Sequence, residues 1–144
     1  MTSVLRAATP DDVPALLAIE QESFAHPHWD AASFLRYRCR VAEVEGRIVG
    51  FLVSRETFPG GKPALPEREI LNLAVTAPFR RMGIATALLQ EELRHAAVHF
   101  LEVRESNVAA QALYRAIGFV QVGSRPRYYE FPTESAIVMQ MKKC

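Results

Sequence analysis

The stretch from Arg80 to Thr86 constrains the fold of this chain most, because it joins an apolar run to a predicted helix. The run before it, residues 69–75, predicts a β-strand, and residues 87–93 continue the helix. The first backbone N–H groups of such a helix have no partner within it, and the helix dipole adds partial positive charge. Two arginines stand beside these groups, and Gly83 lets a ligand come close to the backbone. On this pattern alone, a phosphate-binding turn and a plain strand–helix connection stay equally open.

The composition predicts one globular domain over residues 1–144. Hydrophobic residues make up 49% of the chain and charged residues 23%, which is ordinary for a folded domain and argues against disorder. The formal net charge of +1 gives no electrostatic argument for a nucleic-acid partner. The sequence has no apolar run of membrane-spanning length, no signal-peptide pattern and no cysteine spacing for a disulfide framework. We therefore expect a cytoplasmic protein.

The periodicity of the chain predicts a mixed sheet with helices on its faces, an α/β sandwich of the α+β class. The predicted strands cover residues 4–7, 41–44, 48–53, 69–75, 98–103, 119–122 and 136–141. The predicted helices follow Thr9, follow Asp30, run from Gly83 to about Ala97 and span Asn107 to Ile117. Residues 57–67 are predicted as a mobile loop, and residues 125–132 lie between the last two predicted strands.

Three polar residues of the second half are candidates for chemistry. Asn107 and Tyr114 lie just under two helical turns apart, about 10 Å along the axis, so both can contact one extended ligand. The alternative makes Asn107 a plain N-cap and Tyr114 a packing residue. Glu102 lies near a strand end, where it is either a general base or the partner of Arg104 in a surface ion pair worth about 0–1 kcal/mol.

The elbow between the first two predicted helices contains Trp29. This aromatic, proline-containing segment either lines a binding pocket or contributes Trp29 to the core. The histidines lack further ligands at metal-binding spacing, so we predict no metal site. These histidines are His26, His28, His95 and His99.

Three segments in this order resemble one family. They are Asn72–Val75 with Arg80–Ala85, then Leu101–Asn107, then Ala112–Phe119. The chain resembles the GCN5-related N-acetyltransferases (GNAT), strongly over residues 69–141 and more weakly before them. This resemblance implies a mixed, mostly antiparallel central sheet of about seven strands with helices on both faces. It also implies transfer of acetyl from acetyl-CoA to a protein N-terminal α-amine, that of the alanine of ribosomal protein S18. A monomer or weak dimer without direct nucleic-acid or membrane contact is expected.

The resemblance also assigns site residues. Backbone amides of the turn would hold the coenzyme A pyrophosphate, the strand before it would pair with the pantetheine arm, and Asn107 would contact that arm. The residues assigned to acetyl-CoA are Leu73, Ala74, Val75, Arg80, Arg81, Met82, Gly83, Ile84, Ala85, Thr86 and Asn107. Glu102 would be the general base and Tyr114 the general acid. By position in the family, the acceptor groove would include Phe24, Trp29, Tyr128 and Tyr129.

Two features of the sequence depart from the family's pattern. Thr76–Pro78 stands where an acidic residue often follows the strand in the family, and residues 57–67 are rich in glycine and proline. The acceptor is open too: a lysine, a polyamine or a small molecule is the main alternative, and a non-catalytic coenzyme-binding module is the other. Neither Cys39 nor Cys144 lies in the motif region, so we predict direct transfer in a ternary complex without an acyl-enzyme.

Overall fold

The computed structural model describes residues 2–24, 27, 29–57 and 65–144. The strands are β1 (Val4–Ala7), β2 (Arg38–Val44), β3 (Arg47–Thr57), β4 (Glu67–Val75), β5 (Ala97–Arg104), β6 (Val120–Tyr129) and β7 (Glu134–Lys143). The α-helices are α1 (Val13–Ser23), α2 (Ala31–Arg36), α3 (Ile84–Glu92) and α4 (Val108–Ile117). Short 3-10 turns precede two of these helices, at Pro10–Asp12 and Ala77–Phe79.

The seven strands form one mixed sheet in the order β1-β2-β3-β4-β5-β7-β6. β4 and β5 pair in parallel, whereas the pairs β1–β2, β2–β3, β5–β7 and β6–β7 are antiparallel. The expected mixed, mostly antiparallel sheet of seven strands is therefore confirmed. The chain forms two compact units, one of residues 1–55 and 71–92, the other of residues 56–70 and 93–144.

Several predicted element boundaries are wrong. Residues 125–129 belong to β6, which was predicted to end at residue 122, because Arg125 and Tyr129 pair with Ala136 and Glu134 of β7. The helix predicted to reach Ala97 ends at Glu92, and Ala97 instead begins β5 opposite Lys143. Of the predicted loop 57–67, residues 58–64 lie outside the described part of the chain.

The first unit is built around an apolar core of α1, α2, β2, β3 and β4. Fully or nearly fully buried side chains in it are Leu16, Ile19, Phe34, Cys39, Val41, Phe51, Val53 and Ala74. The aliphatic residues recur at helical spacing in α1 and at alternate positions in the strands, which is why both kinds of element bury one side here. The carboxylate of Glu20, 2% exposed, accepts a hydrogen bond at 2.8 Å from the Asn72 amide, so α1 is tied to β4 by a buried polar contact.

A second polar anchor of the first unit explains the start of the helical region. The guanidinium of Arg6 donates to both carboxylate oxygens of Asp12 at 2.8 and 2.9 Å and to Glu43 at 2.9 Å. Asp12 also accepts a hydrogen bond from the backbone N–H of Thr9. Thr9 is the predicted N-cap residue, so this bond stabilises the start of the 3-10 turn. These bonds hold the pKa of Asp12 at about 2, chiefly through the Arg6 hydrogen bonds.

The second unit contains β5, β7, β6 and α4. β5 alternates strictly between buried and half-buried residues, so Leu101 and Val103 face the apolar side while Glu102 and Arg104 share the opposite side. Gly118 ends α4 as predicted: its φ is +128°, and its N–H donates to the carbonyls of Tyr114 and Arg115. These two features place Glu102 and Tyr114, the residues on which the chemical hypotheses depend.

Candidate active site

The first unit carries the turn that the sequence analysis singled out. After β4 ends at Val75, the backbone passes through a 3-10 turn, and Arg81 and Gly83 both have positive φ, +62° and +80°. α3 then begins at Ile84, and the N–H of Ala87 bonds to the Gly83 carbonyl at 2.9 Å. The N–H groups of Ile84, Ala85 and Thr86 therefore precede the first intrahelical donor and have no partner within the helix. The turn has the form of an anion seat.

Gly83 is required by the backbone and not by packing. A Cβ at this position would meet no atom within 4 Å, so there is open space beside it. Its positive φ is the conformation that glycine adopts without cost. The open space supports the expectation that a ligand can approach this part of the chain closely.

Arg80 does something that the sequence did not reveal. Its Nε donates to the Val75 carbonyl at 2.8 Å, and its Nη2 lies 3.4 Å from the Ser23 hydroxyl. The guanidinium therefore closes the turn on which it stands. Arg80 and Arg81 are both exposed, but of the two only Arg80 has its guanidinium bonded to the backbone of the turn.

The sequence analysis missed Glu22, which holds the start of the same turn. Its carboxylate accepts from the backbone N–H of Ala77 at 2.6 Å and from the Thr76 hydroxyl at 2.8 Å. These hydrogen bonds, first that of Ala77, lower the pKa of Glu22 because they favour its charged form. A carboxylate therefore does bind the segment Thr76–Pro78, where the family often has an acidic residue. It belongs to Glu22 of α1 and not to the segment itself. The pair is 54 residues apart in sequence, so no local pattern signals it.

Glu102, in the second unit, pairs with a different arginine from the one considered. Its Oε1 lies 3.4 Å from Nε of Arg125, whereas Arg104 bonds to Glu134 at 2.9 Å. The ion pair with Arg104 that the sequence left open is therefore wrong. The Glu102 side chain is only 11% exposed, and its Oε2 is buried without a bonding partner among the described residues. A buried polar atom without a partner is rare in proteins. This oxygen is therefore a candidate to bind a substrate or a water molecule.

Two adjacent tyrosines lie at the end of β6, close to Glu102. The interaction with the Glu102 carboxylate, followed by burial, raises the pKa of Tyr128. Burial first, and then the charge of Glu102, raises the pKa of Tyr129. The Tyr128 and Tyr129 rings meet edge to face, with centroids 5.1 Å apart. The structure thus brings Glu102 together with the predicted acceptor residues Tyr128 and Tyr129, a grouping that no spacing rule gives.

Tyr114 is 9% exposed, and its ring meets Phe119 edge to face at 5.9 Å. Burial raises the pKa of Tyr114 to about 12, so its hydroxyl keeps its proton throughout the neutral range. Tyr114 therefore has a proton available at neutral pH, as a general acid must.

Asn107 is the N-cap of α4: its Oδ1 accepts from the Ala110 N–H at 3.1 Å. The side-chain oxygen of Asn107 therefore has the N-cap role that was the alternative to a ligand contact. The residue is exposed, and its amide nitrogen has no bonding partner within the described residues. The contact with the coenzyme stays a prediction that would use this nitrogen.

The remaining candidates lie in the first unit. Phe24 follows α1 and is 38% exposed, while Trp29 is half-buried and packs against Phe34 and Tyr37 with ring centroids 5.3 and 5.7 Å apart. Trp29 thus contributes to the core of its unit, which was the alternative to a groove residue. Its part in acceptor binding stays a prediction. His26 and His28 lie outside the described residues.

Within residues 2–24, 27, 29–57 and 65–144, no group of three or more histidine, cysteine, aspartate or glutamate side chains could hold a metal ion. No helix in this same part of the chain is long and apolar enough to cross a membrane.

The residues around the turn and around Glu102 match a known family. The sequence matches the acetyltransferase (GNAT) family over residues 5–119. The chain belongs to this family. Membership makes it an N-acetyltransferase with acetyl-CoA as the acetyl donor.

Two sequence relatives and one solved structure are similar to this chain over most of its length. The [ribosomal protein bS18]-alanine N-acetyltransferase of Escherichia coli strain K12 is 34% identical over 144 residues, covering 90% of this chain and 90% of that protein. A crystal structure of the E. coli ribosomal-protein-S18-alanine N-acetyltransferase has a TM-score of 0.83 at 30% identity, covering 98% of this chain and 94% of that chain. An uncharacterized Mycobacterium leprae protein is 36% identical over 146 residues, and this chain spans only 40% of its length.

Proposed function

We propose that this acetyltransferase acts on the α-amine of a protein N-terminus, with the N-terminal alanine of ribosomal protein S18 as its acceptor. The E. coli relative acts on that alanine, and its identity of 34% makes this acceptor the first to test. Such an acceptor would place the reaction in the cytoplasm. The proposal treats residues 1–144 as one catalytic domain.

The observation that carries the proposal is the state of Glu102. One of its carboxylate oxygens is paired with Arg125, and the other is buried without a bonding partner in the described part of the chain. A carboxylate in that state can accept a proton from an amine, directly or through a water molecule. We assign Glu102 the role of general base.

The kind of amine follows from acid–base arithmetic. A peptide α-amine has a pKa near 7.8, so about a fifth of it is neutral near pH 7.2, whereas a lysine amine near 10.4 is neutral only about once in a thousand. A single glutamate can complete deprotonation of the first far more easily than of the second. A single glutamate as general base therefore favours an N-terminal amine over a lysine as the acceptor.

Tyr114 is assigned the role of general acid. The amine attacks the thioester carbonyl, nitrogen loses a proton, the carbon–sulfur bond breaks and sulfur gains a proton. A hydroxyl whose pKa is about 12 is fully protonated when that proton is needed. A backbone N–H of residues 73–75 would polarise the carbonyl, since the β4–β5 ladder covers only Glu67–Ile70 and ends before them.

The turn would hold the coenzyme pyrophosphate through the N–H groups of Ile84, Ala85 and Thr86. Arg81 and Met82 are exposed beside these groups, and Arg80 bonds to the Val75 carbonyl at the end of β4. Leu73, Ala74 and Val75 would contact the pantetheine arm through their backbone. Asn107 would contact the same arm through its amide nitrogen.

Direct transfer in a ternary complex is supported by the chemistry of the thiols. Burial raises the pKa of Cys39 to about 12, so its thiolate, the nucleophilic form, is almost absent at neutral pH. Cys144 is the exposed C-terminal residue. Acetyl trapped on either cysteine during turnover would contradict this mechanism.

The experiment is a comparison of acceptors at fixed acetyl-CoA. Coenzyme release is measured with a peptide that begins with the S18 N-terminal sequence, its N-terminally blocked form, free lysine and spermidine. We expect turnover with the open peptide and none with the blocked one. Faster turnover of lysine or spermidine would move the function to another amine, and binding of acetyl-CoA without turnover of any acceptor would indicate a non-catalytic module.

A further inference from the structure

The turn between β6 and β7, residues Glu130–Thr133, is held by one side chain from β5. Nη2 of Arg104 donates to the Glu130 carbonyl at 2.8 Å, and Nη1 donates to the Pro132 carbonyl at 3.1 Å. The same Nη1 lies 2.9 Å from Oε1 of Glu134, the first residue of β7. One guanidinium therefore bonds to three acceptors around the turn, which belong to Glu130, Pro132 and Glu134.

The turn needs such support because its backbone is strained. Phe131 has a φ of +59°, a conformation that is unusual for a bulky side chain. The two carbonyls that Arg104 binds stand on either side of it. Residues in such conformations persist where neighbouring contacts fix them, and these conformations cluster at functional sites.

The same guanidinium also fixes the Tyr129 ring. Its central carbon lies 4.5 Å from the centroid of that ring, within the range of a cation–π contact. Glu134 extends the network, since it accepts from the Ser106 hydroxyl at 3.0 Å and from the Ser106 N–H at 3.2 Å. Arg104 thereby links the end of β5, two residues after Glu102, to the tyrosine pair.

We propose that Arg104 is a positioning residue for the acceptor: it holds the β6–β7 turn and Tyr129 so that Tyr128 and Tyr129 can bind an N-terminal peptide. This inference rests on the proposed function, in which the tyrosines face the acceptor. Arg104 touches no reacting atom. Its loss should weaken peptide binding and leave the acetyl-CoA site and the chemical step nearly unchanged.

The test measures steady-state constants for wild type, Arg104→Met, Arg104→Lys and Glu134→Gln with the open peptide. For Arg104→Met we expect the peptide KM to rise at least about tenfold, with kcat within about threefold and the acetyl-CoA KM within about twofold of wild type. Lysine keeps the charge but not the planar fork of donors, so Arg104→Lys should recover only part of the loss. The matched control is Arg115→Met, because Arg115 is exposed on α4.

A second measurement needs no substrate. Amide hydrogen exchange of residues 128–134 should accelerate at least about tenfold in Arg104→Met, while residues 97–103 keep the wild-type rates. The double variant Arg104→Met/Glu134→Gln tests whether the two residues act as a unit. If they do, its peptide KM should lie within about twofold of that of Arg104→Met.

The outcomes separate the two claims. A wild-type protein that acetylates no peptide overturns the proposed function, and with it the acceptor role of Arg104. An active wild type with an unchanged peptide KM in Arg104→Met overturns the positioning role alone. A fall in kcat with an unchanged peptide KM would place Arg104 in the chemistry and also overturn it.

Discussion

The substitution Glu102→Gln tests the assignment of the general base most directly. Glutamine has the same shape as glutamate, so the contact with Arg125 and the burial of the side chain are preserved while the proton-accepting charge is removed. We expect kcat to fall about 10²- to 10⁴-fold, which corresponds to about 3–5 kcal/mol of lost transition-state stabilisation. The acetyl-CoA KM should stay within about twofold of the wild-type value, because Glu102 is not among the residues assigned to acetyl-CoA.

The magnitude distinguishes catalysis from a structural ion pair. Arg125 is 58% exposed in its side chain, and a pair with so exposed a partner contributes at most about 1 kcal/mol. A loss of 3 kcal/mol or more in kcat therefore cannot come from the pair. The assay is coenzyme release with the open peptide from pH 6 to 9, with thermal unfolding to verify the fold. Glu105→Gln is the matched control, since Glu105 is exposed three residues before the start of α4. An unchanged kcat at every pH would refute the assignment.

Three further predictions concern Tyr114, Gly83 and Asp12. Tyr114→Phe should lower kcat about 10²-fold with unchanged acetyl-CoA affinity, and because its pKa is about 12 the wild-type rate should show no alkaline limb from Tyr114 below about pH 10; loss of affinity alone would make it a contact residue. Gly83→Asp should weaken acetyl-CoA binding by calorimetry at least about 100-fold, whereas Gly83→Asn, which tolerates the same φ, should lose far less; equal losses would refute the anion seat. The folded pKa of Asp12 lies below its ordinary value, so its stabilisation is present above about pH 4 and is lost as the pH falls through about 2. Asp12→Asn should therefore lower the free energy of unfolding by about 2 kcal/mol at pH 7 and by about 1 kcal/mol less at pH 3, measured by urea titration; a difference independent of pH would contradict the ion pair with Arg6.

Much of the fold could be predicted because local patterns determine local structure. The strict alternation along β5 and the glycine that ends α4 are visible in the sequence, and both place their residues as expected. The extent of β6 was not predictable, because residues 125–129 become a strand through pairing with β7. Their own sequence, with Pro126 among basic and aromatic residues, carries no alternating apolar signal.

The candidate site divides in the same way. The turn from Arg80 to Thr86 and the beginning of α3 follow from the sequence, since positive φ at a glycine and open N–H groups at a helix start are local properties. The residue types of Glu102 and Tyr114 suggested their chemistry. Their environments did not follow from the sequence, because burial is a property of the folded chain.

The family, most of the elements and the residue types available for acetyl transfer can be read from the sequence. The partners of these residues arise only on folding: Glu102 with Arg125, Arg104 with the β6–β7 turn, and Glu22 with Ala77. The physical reason is that periodicity of two or 3.6 residues tells which side a residue faces and carries nothing about which distant side chain it meets. Burial then raises the pKa of Tyr114, and the long-range contacts of Arg104 hold the β6–β7 turn and the Tyr129 ring.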